Sequence, residues 1–148
     1  MSLIVSYTEL MTVAAESIAH ILGIKARTIS ELDHMVQQGL PKQALARTLQ
    51  SLGQGESRQF QSRVVPLATW KRRRSRLSVI ESERTERLAR IGAIAKEVWN
   101  GDEAATREWL NTPHAELGNV TPIQAALTEI GARRVEGVLA KIFYGLPA

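Results

Sequence analysis

The run Lys71-Arg72-Arg73-Arg74-Ser75-Arg76 sets five cations within six residues. Such a run offers several phosphate contacts whose affinity falls as salt rises, and its plain alternative is a solvated stretch of charge. The surroundings favour the first reading. Between Arg58 and Arg90 ten Lys/Arg stand against three Glu, a net of +7, whereas the remainder carries nine basic and twelve acidic residues. The formal charge of +4 and the pI of about 9.9 therefore belong to the middle of the chain and point to an anionic partner. If this segment is a recognition helix, Thr69, Lys71 and Arg72 lie nearest the end that meets bases or phosphates, with Arg73, Arg74 and Arg76 adding cations. Trp70 reads as a core anchor rather than a base-stacking residue. A second surface is nominated by Arg133 and Arg134 together with Ile142-Phe143-Tyr144-Gly145-Leu146. Phe143 and Tyr144 are consecutive, so they point to different helix faces, and the Val138-Leu139-Ile142 stripe can bury only one of them. An exposed aromatic with arginines a few turns before it has the composition of a protein-binding hot spot; ordinary dimer packing is the competing account.

Other reactive groups lead nowhere. Glu81, Glu83 and Glu86 alternate with Arg84, Arg87 and Arg90 and read as an ion-paired helix surface, not as an acid and a base. His20, His34 and His114 lack ligand spacing, and without cysteine neither a metal site, a thiolate nor a disulfide is expected. No nucleophile elbow or phosphate-cradling glycine loop is present. The reading is of a non-enzyme with no catalytic residue and no cofactor. The N-terminus lacks a basic leader, and Glu9, Glu16 and His20 interrupt its apolar residues, so the expectation is a cytoplasmic protein without a membrane partner.

Helices must position these groups, because helix punctuation recurs from end to end and no strand pattern competes. With 148 residues, 44% hydrophobic and 23% charged, the chain can bury an ordinary core. Leu10, Val13, Ala14, Ile18, Ile21 and Leu22 precede Gly23 and predict a first helix over roughly 8–22. Ser30 and Asp33 suggest the cap and first turn of a short second helix, and Gly39-Leu40-Pro41 ends it and begins a third that reaches Leu52. A helix opened at Gly55-Glu56-Ser57 runs to about Arg63. Pro66 then forces a turn before Ala68–Arg74, giving two short helices of which the second is basic, the outline of a helix-turn-helix. Ser78 and Glu81 have capping-box spacing and start the longest helix, with Ile80, Leu88, Ile91, Ile94, Ala95, Val98 and Trp99 as its buried stripe. Trp99 and Trp109 are read as packing residues. Thr121-Pro122-Ile123-Gln124 starts another helix whose core face is Ile123, Ala126, Leu127 and Ile130; Gly131 breaks it before a final helix through Val135 and Ile142.

From Leu77 onward, one ordered set of elements resembles the Xre/MbcA/ParS-type antitoxin C-terminal domain. It comprises Glu81-Ser82-Glu83-Arg84, Arg87-Leu88-Ala89-Arg90, Trp99 with Gly101-Asp102-Glu103-Ala104-Ala105, and Trp109-Leu110-Asn111-Thr112-Pro113. Leu117-Gly118, Thr121-Pro122, Gly131-Ala132-Arg133, Val135, Leu139, Ile142 and Gly145 complete it. Upstream, Glu31-Leu32 and Gly39-Leu40-Pro41 resemble the Xre-like half of the same family, while Val64–Trp70 departs from its pattern. The resemblance implies an all-α fold with an N-terminal helix-turn-helix-like half and a C-terminal helical toxin-binding half. Residues 1–29 would form a helical extension, 30–76 the Xre-like half and 77–148 the toxin-binding domain. It also implies a type II antitoxin whose partner is a RES-domain toxin that degrades NAD or ADP-ribosylates a target. The antitoxin would lay its C-terminal region, where Arg133, Arg134 and Ile142–Leu146 are the surface nominated above, against the toxin's cleft, homodimerise within a larger complex, and bind operator DNA. A stand-alone helix-turn-helix regulator whose C-terminal half only dimerises is the rival reading.

Overall fold

Residues 15–72 and 75–147 are described by a computed structural model. Residues 15–22 are helical (α1). There follow α2 (Ile29–Gln38), α3 (Lys42–Ser51), α4 (Arg58–Val64), α5 (Leu67–Arg72), α6 (Val79–Val98) and α7 (Glu103–Leu110). A 3-10 turn at Ala115–Leu117 leads to α8 (Pro122–Ala125) and α9 (Glu129–Phe143). Among the described residues strand pairing is limited to two isolated bridges, Pro41 with Arg76 and His114 with Val120, so the fold is all-α as expected. The portion of the first helix expected over 8–14 lies outside the described residues.

The centre of the molecule is α6, which packs against α2 and α3 on one side and α7 and α9 on another. A helix with a single dry stripe cannot do this, and the sequence of α6 shows how it is done. Ile91, Gly92, Ala93, Ile94 and Ala95 are all buried, so the helix is enclosed all round in its second half. Small residues let the neighbours approach: a side chain at Gly92 would meet the Leu52 methyl beyond the end of α3. At its first turn the Ser78–Glu81 capping box is made in both directions, with bonds of 3.1 and 2.7 Å. One turn further, the buried Ser82 hydroxyl accepts the Leu40 N–H at 2.8 Å and ties α6 to the α2–α3 junction.

A continuous core runs from Ile18 on α1 through Leu45 and Leu88 to Leu139 on α9. Polar clips reinforce it. Asn111 at the end of α7 donates to the Leu52 carbonyl at 2.9 Å and accepts from Gln54 at 2.6 Å, closing the exit of α3 against α7. Trp99 and Trp109 pack tilted, 5.2 Å between ring centroids, where α6 meets α7, which is the packing role the sequence assigns them.

Four local expectations are corrected. The cap of α2 is Thr28, whose hydroxyl accepts the Glu31 N–H, not Ser30. Ile80 is 62% exposed and stands outside the α6 stripe. The helix begun by Thr121 ends after four residues at Ala125, and Thr128 caps a new helix in which Gly131 is interior, not a break. That shift turns Ile130 outward, leaving it 72% exposed. The carboxylates of α6 also differ from an exposed paired face: Glu81 is buried in its capping box and Glu86 is half-buried.

Candidate functional site

The geometry of the C-terminal surface begins with how α9 is held. Ala132, Val135, Val138 and Leu139 form its buried face. Gly131 allows the helix to pass so close to α8 that a Cβ there would collide with the Ala125 carbonyl. Beside this apolar seam lies a charged one. Arg90 of α6 reaches Glu136 at 2.9 Å, Glu86 at 3.3 Å and Glu129 at 3.7 Å, while Arg87 meets Glu129 at 3.1 Å and the Leu127 carbonyl at 3.2 Å. One guanidinium thus serves three carboxylates. Burial raises the Glu86 pKa above the usual carboxylate value despite the opposing pull of Arg90. For Arg90 burial disfavours the cation, but Glu86, Glu136 and Glu129 together outweigh it and its pKa is raised. On its other flank α9 is clipped to the 3-10 turn: Arg134 donates to the Glu116 carbonyl at 2.7 Å and Lys141 pairs with the Glu116 carboxylate at 3.0 Å.

On this scaffold the nominated residues separate into two groups. Arg133 and Arg134 are exposed on α9, Arg133 making a long 3.8 Å approach to Glu129 with 73% of its side chain in solvent. Ile142 packs against the core and is half-buried. Phe143 is 43% exposed, Tyr144 is half-buried, and their rings meet edge to face at 5.1 Å. Phe143, the last residue of α9, is thus more exposed than Tyr144, which caps the helix. Gly145 takes φ +69°, a left-handed turn that lets the Leu146 N–H reach back to the Lys141 carbonyl at 2.7 Å, and Leu146 is exposed.

The basic segment sits at the opposite end of α6. Ser57 caps α4, Val65 is extended as a residue before proline must be, and α5 follows Pro66. The two short helices foreseen in the sequence are thus both formed, with the second one basic. None of the six residues of α5 is buried. Thr69 is half-buried, Lys71 and Arg72 are exposed, and Arg72 lies 3.4 Å from the Thr69 hydroxyl. Arg73 and Arg74 lie outside the described residues. Arg76 is exposed, yet its guanidinium donates to the Gly39 carbonyl at 2.8 Å, so one of the six nominated residues also fastens the chain to the end of α2. Trp70 packs against the core with the Lys42 ammonium 4.4 Å from its ring, in keeping with an anchor. Arg84 bonds the Val64 carbonyl at 3.2 Å and so joins α6 to the end of α4.

Two positioning elements escaped the sequence reading. Glu129 and Glu136 stand two turns apart on one face of α9, a spacing that could have announced partners for Arg87 and Arg90. Glu116, in the short 3-10 turn, carries no comparable signal. Among the described residues no group of three His, Asp or Glu could hold a metal ion, and no helix is long and apolar enough to cross a membrane.

Comparison with known proteins falls on this same surface. Residues 95–145, from the last turn of α6 to the end of α9, match the Antitoxin Xre/MbcA/ParS C-terminal toxin-binding domain. An Antitoxin Xre of Pseudomonas putida is 36% identical over 85 residues, 55% of this chain and 53% of that protein. An Antitoxin Xre of Photorhabdus laumondii is 25% identical over 130 residues, 84% of this chain and 86% of the relative. One from Yersinia enterocolitica is 31% identical over 85 residues, so the matched part spans about half the length of the first and third of these relatives. The resemblance to Xre/MbcA/ParS-type antitoxins is shown by these matches.

Proposed function

We propose that this protein is the antitoxin of a type II toxin–antitoxin pair. In this reading it neutralises a cytoplasmic RES-domain toxin, an enzyme that degrades NAD or transfers ADP-ribose, by laying the exposed end of α9 over the toxin's active-site cleft. The single observation that carries the reading is the match of residues 95–145 to a toxin-binding domain. Its support in the fold is a rigidly seated α9 that leaves Arg133, Phe143 and Leu146 outward. Arg133 and Arg134 contact the toxin; co-purification of the toxin with the Arg133→Ala, Arg134→Ala double variant, with growth fully rescued, would remove that assignment. As an inhibitor the chain carries no catalytic role of its own.

The same protein represses its operon as a homodimer, with α4 and α5 as the helix-turn-helix and Thr69, Lys71, Arg72, Arg73, Arg74 and Arg76 on operator DNA. What supports this is the surface display of α5 and the +7 segment around it. Replacing Lys71 and Arg72 by alanine is expected to weaken binding to the operator and to lower the slope of log K against log salt by about one per lost phosphate contact. A gel-shift or fluorescence titration at several salt concentrations measures both. An unchanged slope would show that these side chains are solvated charge and nothing more.

A further inference from the structure

We infer that the toxin makes its closest approach to α9 at Gly137, through a segment that carries acidic side chains; this rests on the antitoxin reading above. Two glycines lie inside α9, and the chain accounts for one of them. Gly131 is required by the Ala125 carbonyl. Gly137 is in the middle of the helix and exposed, and a Cβ built there meets no atom within 4 Å. Glycine is the least favourable residue for a helix interior after proline, so the free chain is weakened at this point with no internal contact in return. A notch of this kind lets a partner come nearer than any side chain would permit.

The notch lies within a stripe built to be covered. Ile130, Arg133 and Arg134, Gly137 and Lys141 follow one another at spacings of three or four residues along one side of α9, a length of about 17 Å. Ile130, at its head, is the most exposed large apolar residue among those described. The cations near the notch are incompletely neutralised within the chain. Arg134 is spent on a backbone carbonyl, Arg133 approaches Glu129 only at 3.8 Å, and that carboxylate lies closer to Arg87 at 3.1 Å. Lys141 pairs more closely, with Glu116 at 3.0 Å. An acidic element of the toxin is the complement to such a face.

The test separates this surface from a structural role, because Gly137 can be filled without a clash. Gly137→Ala and Gly137→Leu are made in the full chain, and three quantities are measured: thermal midpoint, affinity for the purified RES-domain toxin by calorimetry, and mass in solution. Both variants should melt higher than the parent, while Gly137→Leu binds toxin at least about tenfold more weakly and Gly137→Ala falls between. Toxin affinity of Gly137→Leu within about twofold of the parent would overturn the inference, as would a lowered melting point or a loss confined to self-association. Failure of the unsubstituted chain to bind the toxin would sink the antitoxin reading itself, an outcome distinguishable because it precedes any substitution.

Discussion

Gly131→Ala is expected to destabilise the protein by on the order of 3 kcal/mol, although helix propensity alone would make it favourable by about 1 kcal/mol. The sign is reversed by packing. The added Cβ would be driven into the carbonyl of Ala125, a backbone atom that cannot rotate away, and Gly131 already donates its N–H to the Thr128 cap at 3.0 Å. Relief requires α8 and α9 to part, which loosens the packing between two helices that carry the buried Ile123 and Ala132. Urea unfolding should show a lower midpoint with an unchanged slope. A neutral or stabilised variant would mean that the α8–α9 contact is loose. Placed beside Gly137→Ala, which should stabilise, this substitution gives opposite signs at two glycines of one helix.

Arg90→Met should cost about 3 kcal/mol near neutral pH, because it strands Glu86, Glu129 and Glu136 around a site left without its main cation. The pH dependence identifies the cause. Burial already lifts the Glu86 pKa above its ordinary value, so this group favours folding most when protonated, and that contribution is lost as pH rises through the folded pKa. Removing Arg90 takes away the largest opposing influence and raises that pKa further. The deficit of the variant should therefore shrink as pH falls through the mildly acidic range, and adding Glu86→Gln should recover part of it at neutral pH. A deficit independent of pH would assign the loss to the packing of the arginine stem instead.

How far the sequence disclosed this molecule depends on the range of each signal. Local ones were legible. Ser78–Glu81 and Thr121–Gln124 both form capping boxes at the helix starts the sequence marks. Signals that depend on tertiary partners were misread. Ile130 continues the apolar spacing of Ile123, Ala126 and Leu127, but the chain breaks at Thr128 and re-enters a helix with its phase altered, which no periodicity within the segment reveals. Glu86 and Arg90 look like a surface pair because the further partners of Arg90, the half-exposed Glu129 and the half-buried Glu136, stand on α9, far along the chain. For the candidate site, two consecutive aromatics announced that one would be left exposed, and which of them it is, Phe143, needed the fold. The clip of Arg134 and Lys141 to Glu116 needed the fold, since it joins α9 to a short 3-10 turn with no pattern of its own.

The most direct test of the antitoxin reading is co-expression with a RES-domain toxin, the partner proposed above, scoring growth and co-purification for the full chain and for a version ending before Phe143. Rescue of growth with stable co-purification by the full chain, and loss of both when Phe143–Leu146 is removed, is the predicted result. Growth arrest and no complex with the full chain would contradict it and leave a DNA-binding regulator whose C-terminal half serves only to dimerise.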